Sequence, residues 1–391
     1  MVLTDITTPS FILDGGELER SVSLFREALA RNFFSYEIGY SVKTNSLPYC
    51  LRYLRQLDIS AEVVSSDEYL LALKCGYDRN KIIYNGPMKS KETFIDAVTN
   101  GAVVNIETKR ELQWLRELPK KDKCYKVGIR LNINISKISP LDADADNDNS
   151  RFGFSDETEE FGDAVSFIKS LQNIELSGLH IHRTAHSRSP RFYEESIEYA
   201  CQVIKKYNLM LSYLDIGGGY FGIFPKKPTY KDYCDAFFRV LKRNGFEKMH
   251  IIVEPGNALI ASSFSFVTSV IDVKHVEDNT WFITTDGSRN DIDPFFRKND
   301  YLYSLSNDRG NMQVPIQIIS GCTCLENDRL FKLMNKPLLN IGDRIKYNNV
   351  GAYTMTLSPL FIRLFPAVYL YQDEKYSLIR GPWTIEEFIQ K

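Results

Sequence analysis

Short apolar runs recur along the chain from about residue 34 onward: Phe34–Val42, Ile59–Val64, Ile82–Tyr84, Val103–Ile106, Tyr125–Leu131, Leu176–Ile181, Leu211–Ile216 and His250–Val253. Between most of them lie stretches with apolar residues three and four apart, notably 66–75 (S-D-E-Y-L-L-A-L-K-C), 90–99, 158–171 and 230–244. That is the period of an amphipathic helix. Strand-length runs alternating with helices over about 230 residues predict an α/β fold, a (β/α)8 TIM barrel. A doubly wound open sheet has the same arithmetic and stays open at this point. After residue 262 the texture changes, and Phe264–Val273, Thr280–Thr285, Val314–Ile319 and Ala367–Leu370 have no convincing helix between them. This predicts an all-β domain. The segment T-P-S-F-I-L-D ahead of the barrel is also strand-like. The expected organisation is a barrel over 25–262 and a discontinuous β domain from 1–24 and 263–391.

Composition narrows the class. Lys plus Arg number 48 and Asp plus Glu 50, a net charge of −2, which argues against a nucleic-acid or anionic-membrane partner. No apolar run nears the roughly eighteen residues of a membrane span. The opening M-V-L-T-D-I-T-T-P-S lacks a basic stretch followed by an apolar core. Seven scattered cysteines make no disulfide framework. A cytoplasmic enzyme is expected.

In a barrel the chemistry belongs at the C-terminal ends of strands. Those ends carry Lys43 in Y-S-V-K-T-N, Arg130 in I-R-L-N, and His180, His182 and His186 in G-L-H-I-H-R-T-A-H-S. They also carry Gly217, Gly218 and Gly219 in L-D-I-G-G-G-Y, and Glu254 in I-I-V-E-P-G-N. Period two puts His180 and His182 on one side of their strand. Each residue has a plain alternative: a solvated rim lysine, a tight turn, a structural carboxylate. Together they suit pyridoxal 5′-phosphate (PLP). Its aldehyde needs an amine, which Lys43 can supply. Its phosphate needs a cradle free of Cβ atoms, for which the glycine turn is placed. Its pyridine nitrogen needs a carboxylate, for which Glu254 stands ready. His182 is the candidate flat group against the ring.

With these residues in view, the chain resembles the fold type III PLP-dependent decarboxylases, the ornithine and diaminopimelate decarboxylase group. Y-S-V-K-T-N is similar to the family's lysine motif, S-R-F-G-F (150–154) to its Lys-Phe-Gly segment, and G-L-H-I-H to its histidine strand. L-D-I-G-G-G is similar to the phosphate turn and E-P-G to the pyridinium partner. G-C-T-C-L-E-N-D (321–328) and G-A-Y-T-M-T-L-S-P-L-F (351–361) are similar to the Gly-Pro-x-Cys-x-x-x-Asp and Gly-Ala-Tyr…Phe motifs. The resemblance implies a homodimer whose active sites borrow the cysteine motif from the partner's β domain. It implies that Cys324 protonates Cα, that Tyr353 binds phosphate, that Arg130 lies near the ring, and that Gly256 belongs to the cofactor site. It places Asn257, Asp293, Leu325, Glu326, Tyr353 and Phe361 toward the substrate. No metal is expected.

Several positions depart from the pattern. The arginine usual after E-P-G is Asn257, and the acidic residue usual after the motif cysteine is Leu325, with Glu326 one place later. The arginine-proline pair that holds a distal carboxylate appears as Asp293-Pro294, although Asp291 and Asp293 could serve as an acidic pair. Ala185 replaces a phosphate-binding serine, with His186 or Ser187 as substitutes. The long histidine pattern is similar to that of a siderophore-pathway branch acting on amino acids already joined to citrate. A decarboxylase of a modified or conjugated amino acid is expected. The alternatives are a diaminopimelate, ornithine or lysine decarboxylase, a PLP-dependent racemase, a non-catalytic PLP-binding protein, and a metal hydrolase built on the H-x-H-x-x-x-H cluster.

Overall fold

The computed structural model describes residues 6–119, 123–143, 150–185, 187–306 and 312–390. The chain divides into two compact units, Ser21–Leu259 and Met1–Arg20 with Ile260–Lys391. Strand β1 (Ser10–Asp14) belongs to the second of these.

The first unit is a closed parallel barrel. Its strands are β2 (Tyr36–Ser41), β3 (Ser60–Ser65), β4 (Ile82–Met88), β5 (Val103–Ile106) and β6 (Tyr125–Asn132), with the two-residue β7 (Phe154–Ser155) paired beside β6. The ring continues through β8 (Ile174–Ile181) and β9 (Tyr213–Asp215), and β10 (His250–Val253) closes it against β2. Side-chain caps start the connecting helices where the strands end. Ser65 accepts from the Glu68 N–H, Ser90 from Thr93, Thr108 from Glu111 and Ser189 from Phe192. Thr229 and Asp232 form a reciprocal capping box at the head of Tyr230–Asn244, and Gly245 ends that helix in the left-handed region. Each cap satisfies an otherwise orphaned N–H and holds the strand-to-helix loop in place at the chemical rim.

Glycines on neighbouring strands make room for one large ring inside the barrel. A Cβ on Gly178 would lie 1.9 Å from the Tyr213 ring, and one on Gly128 would lie 2.2 Å from its hydroxyl. Ile83, Tyr213 and Ile252 form a buried apolar cluster there. Above it the interior turns polar: Glu62, Asn85, Asn105, His180, Asp215 and Glu254 are all buried.

The second unit is a sheet in which β1 lies between β11 (Phe264–Val276) and, parallel to it, β17 (Ala367–Gln372). The remaining strands are β12 (Thr280–Thr285), β13 (Leu302–Leu305), β14 (Gln313–Ser320), β15 (Arg329–Pro337), β16 (Arg344–Asn348) and β18 (Lys375–Arg380). The order runs β15-β14-β12-β11-β1-β17-β18, with β16 pairing β11 and β13. Phe11 and Phe266 pack at 4.7 Å between ring centroids in its core. Among the described residues, no helix is long and apolar enough to cross a membrane.

Candidate active site

Lys43 sits in a single tight turn, Val42–Thr44, directly after β2. Its Nζ donates to Glu62 Oε2 at 3.0 Å, and the Ser41 hydroxyl donates to the same oxygen at 2.6 Å. Glu62 is buried on β3, so the amine is held by an acid that solvent does not screen. The E-P-G turn packs beneath: the Ser41 N–H donates to the Pro255 carbonyl at 3.3 Å, and a Cβ on Gly256 would lie 2.0 Å from Thr44 Oγ1. Gly256 therefore fits the end of β10 against the Lys43 turn, a packing role beside the cofactor role expected of it.

A chain of amides links the buried acids. Asn85 Nδ2 donates to Glu62 and to Glu254, and Asn105 Nδ2 donates to Asn85 Oδ1 at 2.9 Å and to Asp215 Oδ2 at 3.1 Å. Tyr213 donates to Asn105 Oδ1 from below at 2.8 Å. Burial, and then the neighbouring Glu254 charge, push the Asp215 carboxyl well above the usual range, so Asp215 stays protonated beside Glu254. His180 Nε2 lies 3.6 Å from Glu254 Oε2. Burial, reinforced by Arg130, keeps the His180 ring neutral, and neither of its nitrogens has a hydrogen-bond partner.

His182 stacks beside His180, with ring centroids 6.4 Å apart and planes 19° from parallel. Burial first, then the charges of Arg130 and Lys43, bring its pKa down to about 3. Its Nδ1 accepts the Gly218 N–H at 3.1 Å, which makes the neutral ring a donor at Nε2. Arg130 donates to Glu107 Oε2 at 2.7 Å and to the His182 carbonyl at 3.2 Å, and it lies over the Phe152 ring. Burial alone would raise Glu107, but Arg130 and Lys89 outweigh it and hold the carboxylate ionised.

The glycine turn is shaped by contact on both sides. A Cβ on Gly217 would lie 2.6 Å from His182 Nδ1, and one on Gly218 would lie 2.1 Å from the Glu254 carbonyl oxygen. Gly217 and Gly219 have φ of 72° and 97°. The Gly217 N–H is already bonded to Asp215 and the Gly218 N–H to His182, so two of the three donors expected at a phosphate are engaged within the turn. Asn257 heads a one-turn helix immediately after E-P-G.

Of these groups, Lys43, Arg130 and His182 line a cavity of about 1020 Å³, together with Arg188 and Phe221 among others. A second cavity of about 490 Å³, lined by Leu24, Ala28, Ile223 and Phe224 among others, contains none of the predicted site residues. Ser187 donates to Asp142, and Ala185 is buried. His186 lies outside the described residues. Among the described residues, His180, Asp215 and Glu254 are three potential ligands that converge.

The other predicted residues belong to the second unit. The G-C-T-C-L-E-N-D loop folds around Asp328, which accepts from the Thr323 hydroxyl and N–H, the Ser288 hydroxyl and the Arg289 N–H. Cys324, Leu325, Glu326, Tyr353 and Phe361 are exposed on that unit, and Tyr353 has a left-handed φ of 55°. Asp293 departs from expectation. It is buried, and its carboxylate is taken by Arg289 at 2.8 Å, the N–H groups of Arg297 and Lys298, and the Tyr301 hydroxyl. A substrate amine would have to displace that set, so Asp293 serves its own loop.

The sequence reading passed over Glu62, Asn85, Asn105, Asp215 and Glu107. The signal was present: S-A-E-V-V-S, I-I-Y-N-G and V-V-N-I-E each place a polar residue inside an apolar strand. The residues present fit PLP. There is an amine beside a buried acid, a turn that Cβ atoms would fill, and a buried neutral histidine without partners next to a carboxylate.

A family model described as pyridoxal-dependent decarboxylase, pyridoxal binding domain, matches residues 15–261. The chain is 26% identical over 389 residues to a diaminopimelate decarboxylase of Aquifex aeolicus, covering 95% of this chain and 89% of that protein. It is 26% identical over 409 residues to an L-glutamyl-(BtrI acyl-carrier protein) decarboxylase of Niallia circulans, covering 98% and 93%. A solved diaminopimelate decarboxylase of M. jannaschii superimposes with a TM-score of 0.87 at 21% identity, over 99% of this chain and 92% of the other, a likeness of fold.

Proposed function

The chain belongs to the pyridoxal-dependent decarboxylase family, and from that premise we propose that it removes the α-carboxylate of a modified or conjugated amino acid in specialised, siderophore-like biosynthesis. The cofactor is PLP and the reaction class is amino-acid decarboxylation. The observation that carries the catalytic assignment is the Asn85 bridge, which puts the acid holding Lys43 and the acid Glu254 on one hydrogen-bonded unit. Two features support a conjugated substrate. Leu325 and the fully engaged Asp293 offer no grip for a distal amine or carboxylate. The Niallia circulans relative is named for acting on an amino acid carried by a protein.

When bound, PLP supplies an electron sink for the pair left on Cα as the carboxylate departs. Lys43 is the amine that would hold the cofactor, released toward it from Glu62. Glu254 would accept from the pyridine N–H and favour its protonated form. His182, with His180 stacked beside it, would supply the flat group against the ring. Gly217 and Gly218 shape the turn, their N–H groups being engaged within it, and Gly219 would be the glycine left to contact the phosphate. Cys324 delivers a proton from Sγ to Cα, and Tyr353 adds a hydroxyl to the phosphate. Both come from the β unit of the second subunit of a homodimer.

A mass-spectrometric screen of free and conjugated amino acids for loss of carbon dioxide tests the reading. Conjugates should be turned over, and efficient turnover of free diaminopimelate or ornithine would refute the substrate assignment. Loss of optical activity without carbon dioxide would instead identify a racemase.

A further inference from the structure

Two arginines of the barrel cavity are held by rings. The Arg188 guanidinium lies over Phe221 at 5.4 Å, and that of Arg151 lies over Phe152 at 4.6 Å. Other cations of the same cavity are matched with acids: Lys43 with Glu62 and Arg130 with Glu107. Among the described lining residues the single carboxylate is Asp142, and it accepts the hydroxyls of Ser139 and Ser187.

Arg188 is also held in an uncommon backbone conformation, with φ of 50°. The Tyr233 hydroxyl fixes it there, donating to the Arg188 carbonyl at 2.7 Å while accepting the Phe221 N–H at 3.3 Å. That joins the loop after β8 to the chain leaving the glycine turn. A non-glycine residue in this region costs energy and persists where its surroundings impose it, often at ligand sites. A guanidinium laid on an aromatic face keeps its N–H edge for a planar or tetrahedral oxyanion, which it can bind through two parallel hydrogen bonds.

We propose that Arg151 and Arg188 form a subsite for a multiply charged oxyanion, polycarboxylate or phosphate, on the arm of the substrate beyond Cα. The inference rests on the decarboxylase reading and narrows its substrate to anionic conjugates. A polycarboxylate arm and the phosphate of a carrier's pantetheine arm share this chemistry.

The test uses the PLP-loaded protein and calorimetric titration with two probes, citrate and 4′-phosphopantetheine, against the neutral controls triethyl citrate and pantetheine. One of the anions should bind saturably and its control should not, which also identifies the source. In R151Q/R188Q that affinity should fall about tenfold or more, with the cofactor's visible absorbance unchanged. R151Q alone alters an exposed side chain and should weaken the same anion. Failure of both anions to bind, unchanged affinity in either variant, or loss of cofactor from the double variant overturns the proposal. A wild-type protein that takes up no PLP would instead defeat the reading on which it rests.

Discussion

Asn85 ties Glu62 to Glu254: a single amide nitrogen donates to Oε1 of both buried carboxylates, one holding Lys43 and the other standing beside His180. The two ends of the cofactor site therefore share one support. Asn85→Ala should weaken both together, since a buried acceptor left without its donor costs about 1–3 kcal/mol. The expected result is PLP affinity about tenfold lower, with a thermal midpoint several degrees lower. Absorbance titration measures the first, and wild-type affinity in the variant would sink the claim.

Gly218→Ala tests the glycine turn against a control glycine outside it. The added Cβ would meet the Glu254 carbonyl oxygen at 2.1 Å, so the turn must shift. Gly245 has a positive φ, 81°, which Gly218 lacks, but an added Cβ there meets nothing within 4 Å. Gly245→Ala should cost about 1 kcal/mol through backbone strain alone and leave cofactor binding intact. Gly218→Ala should abolish binding. Equal behaviour of the two variants would show that the turn is not a fitted cradle.

Protonation at Cα can be separated from cofactor binding. Cys324→Ala should reduce clean product formation by about a hundredfold, in the range of general-acid contributions, while the PLP absorbance persists. Asp328→Ala should act in the same direction by loosening the loop that carries the thiol. Full, clean decarboxylation by Cys324→Ala would remove the cysteine from the mechanism.

Acid should unfold the cofactor-free protein partly through His182. Burial, then Arg130 and Lys43, hold its pKa near 3 against 6.5 in an unfolded chain. Below about pH 6.5 the unfolded chain takes up a proton that the folded one refuses, so stability falls as pH falls. The loss from this residue approaches about 1.4 kcal/mol per pH unit. Between pH 6.5 and 5 the thermal midpoint of wild type should drop more steeply than that of His182→Asn, and parallel slopes would contradict the assignment.

The barrel was legible because its strands are short apolar runs and its helices keep a separate period. Val103–Ile106 and His250–Val253 coincide with the strands found, and 230–244 with a helix found. The β unit was harder to read. β15, β16 and β18 place Arg or Lys at several positions, so R-L-F-K-L-M-N-K-P and R-I-K-Y-N look like loops until Ile345 and Tyr347 are seen to be buried. In the candidate site, strand tips drew the eye to Lys43, His182 and Glu254. The tips do not display Glu62, Asn85 and Asn105, which point inward from mid-strand. Asp293 illustrates the converse. Sequence displays a carboxylate but not the Arg289 and Tyr301 side chains that fold back to consume it.

The place of β1 in its sheet bears on how the chain is made. Ser10–Asp14 is an interior strand whose parallel neighbour, Ala367–Gln372, leaves the ribosome more than three hundred residues later. The intervening barrel can close during synthesis, as domains generally fold in units, but the sheet cannot. The F-I-L-D strand must therefore wait with an unfilled edge until Ala367–Gln372 has been made. A nonsense change between β11 (Phe264–Val276) and β17 (Ala367–Gln372) would strand it there, leaving the Phe11 and Leu13 strand with an open edge in a protein whose barrel already looks native.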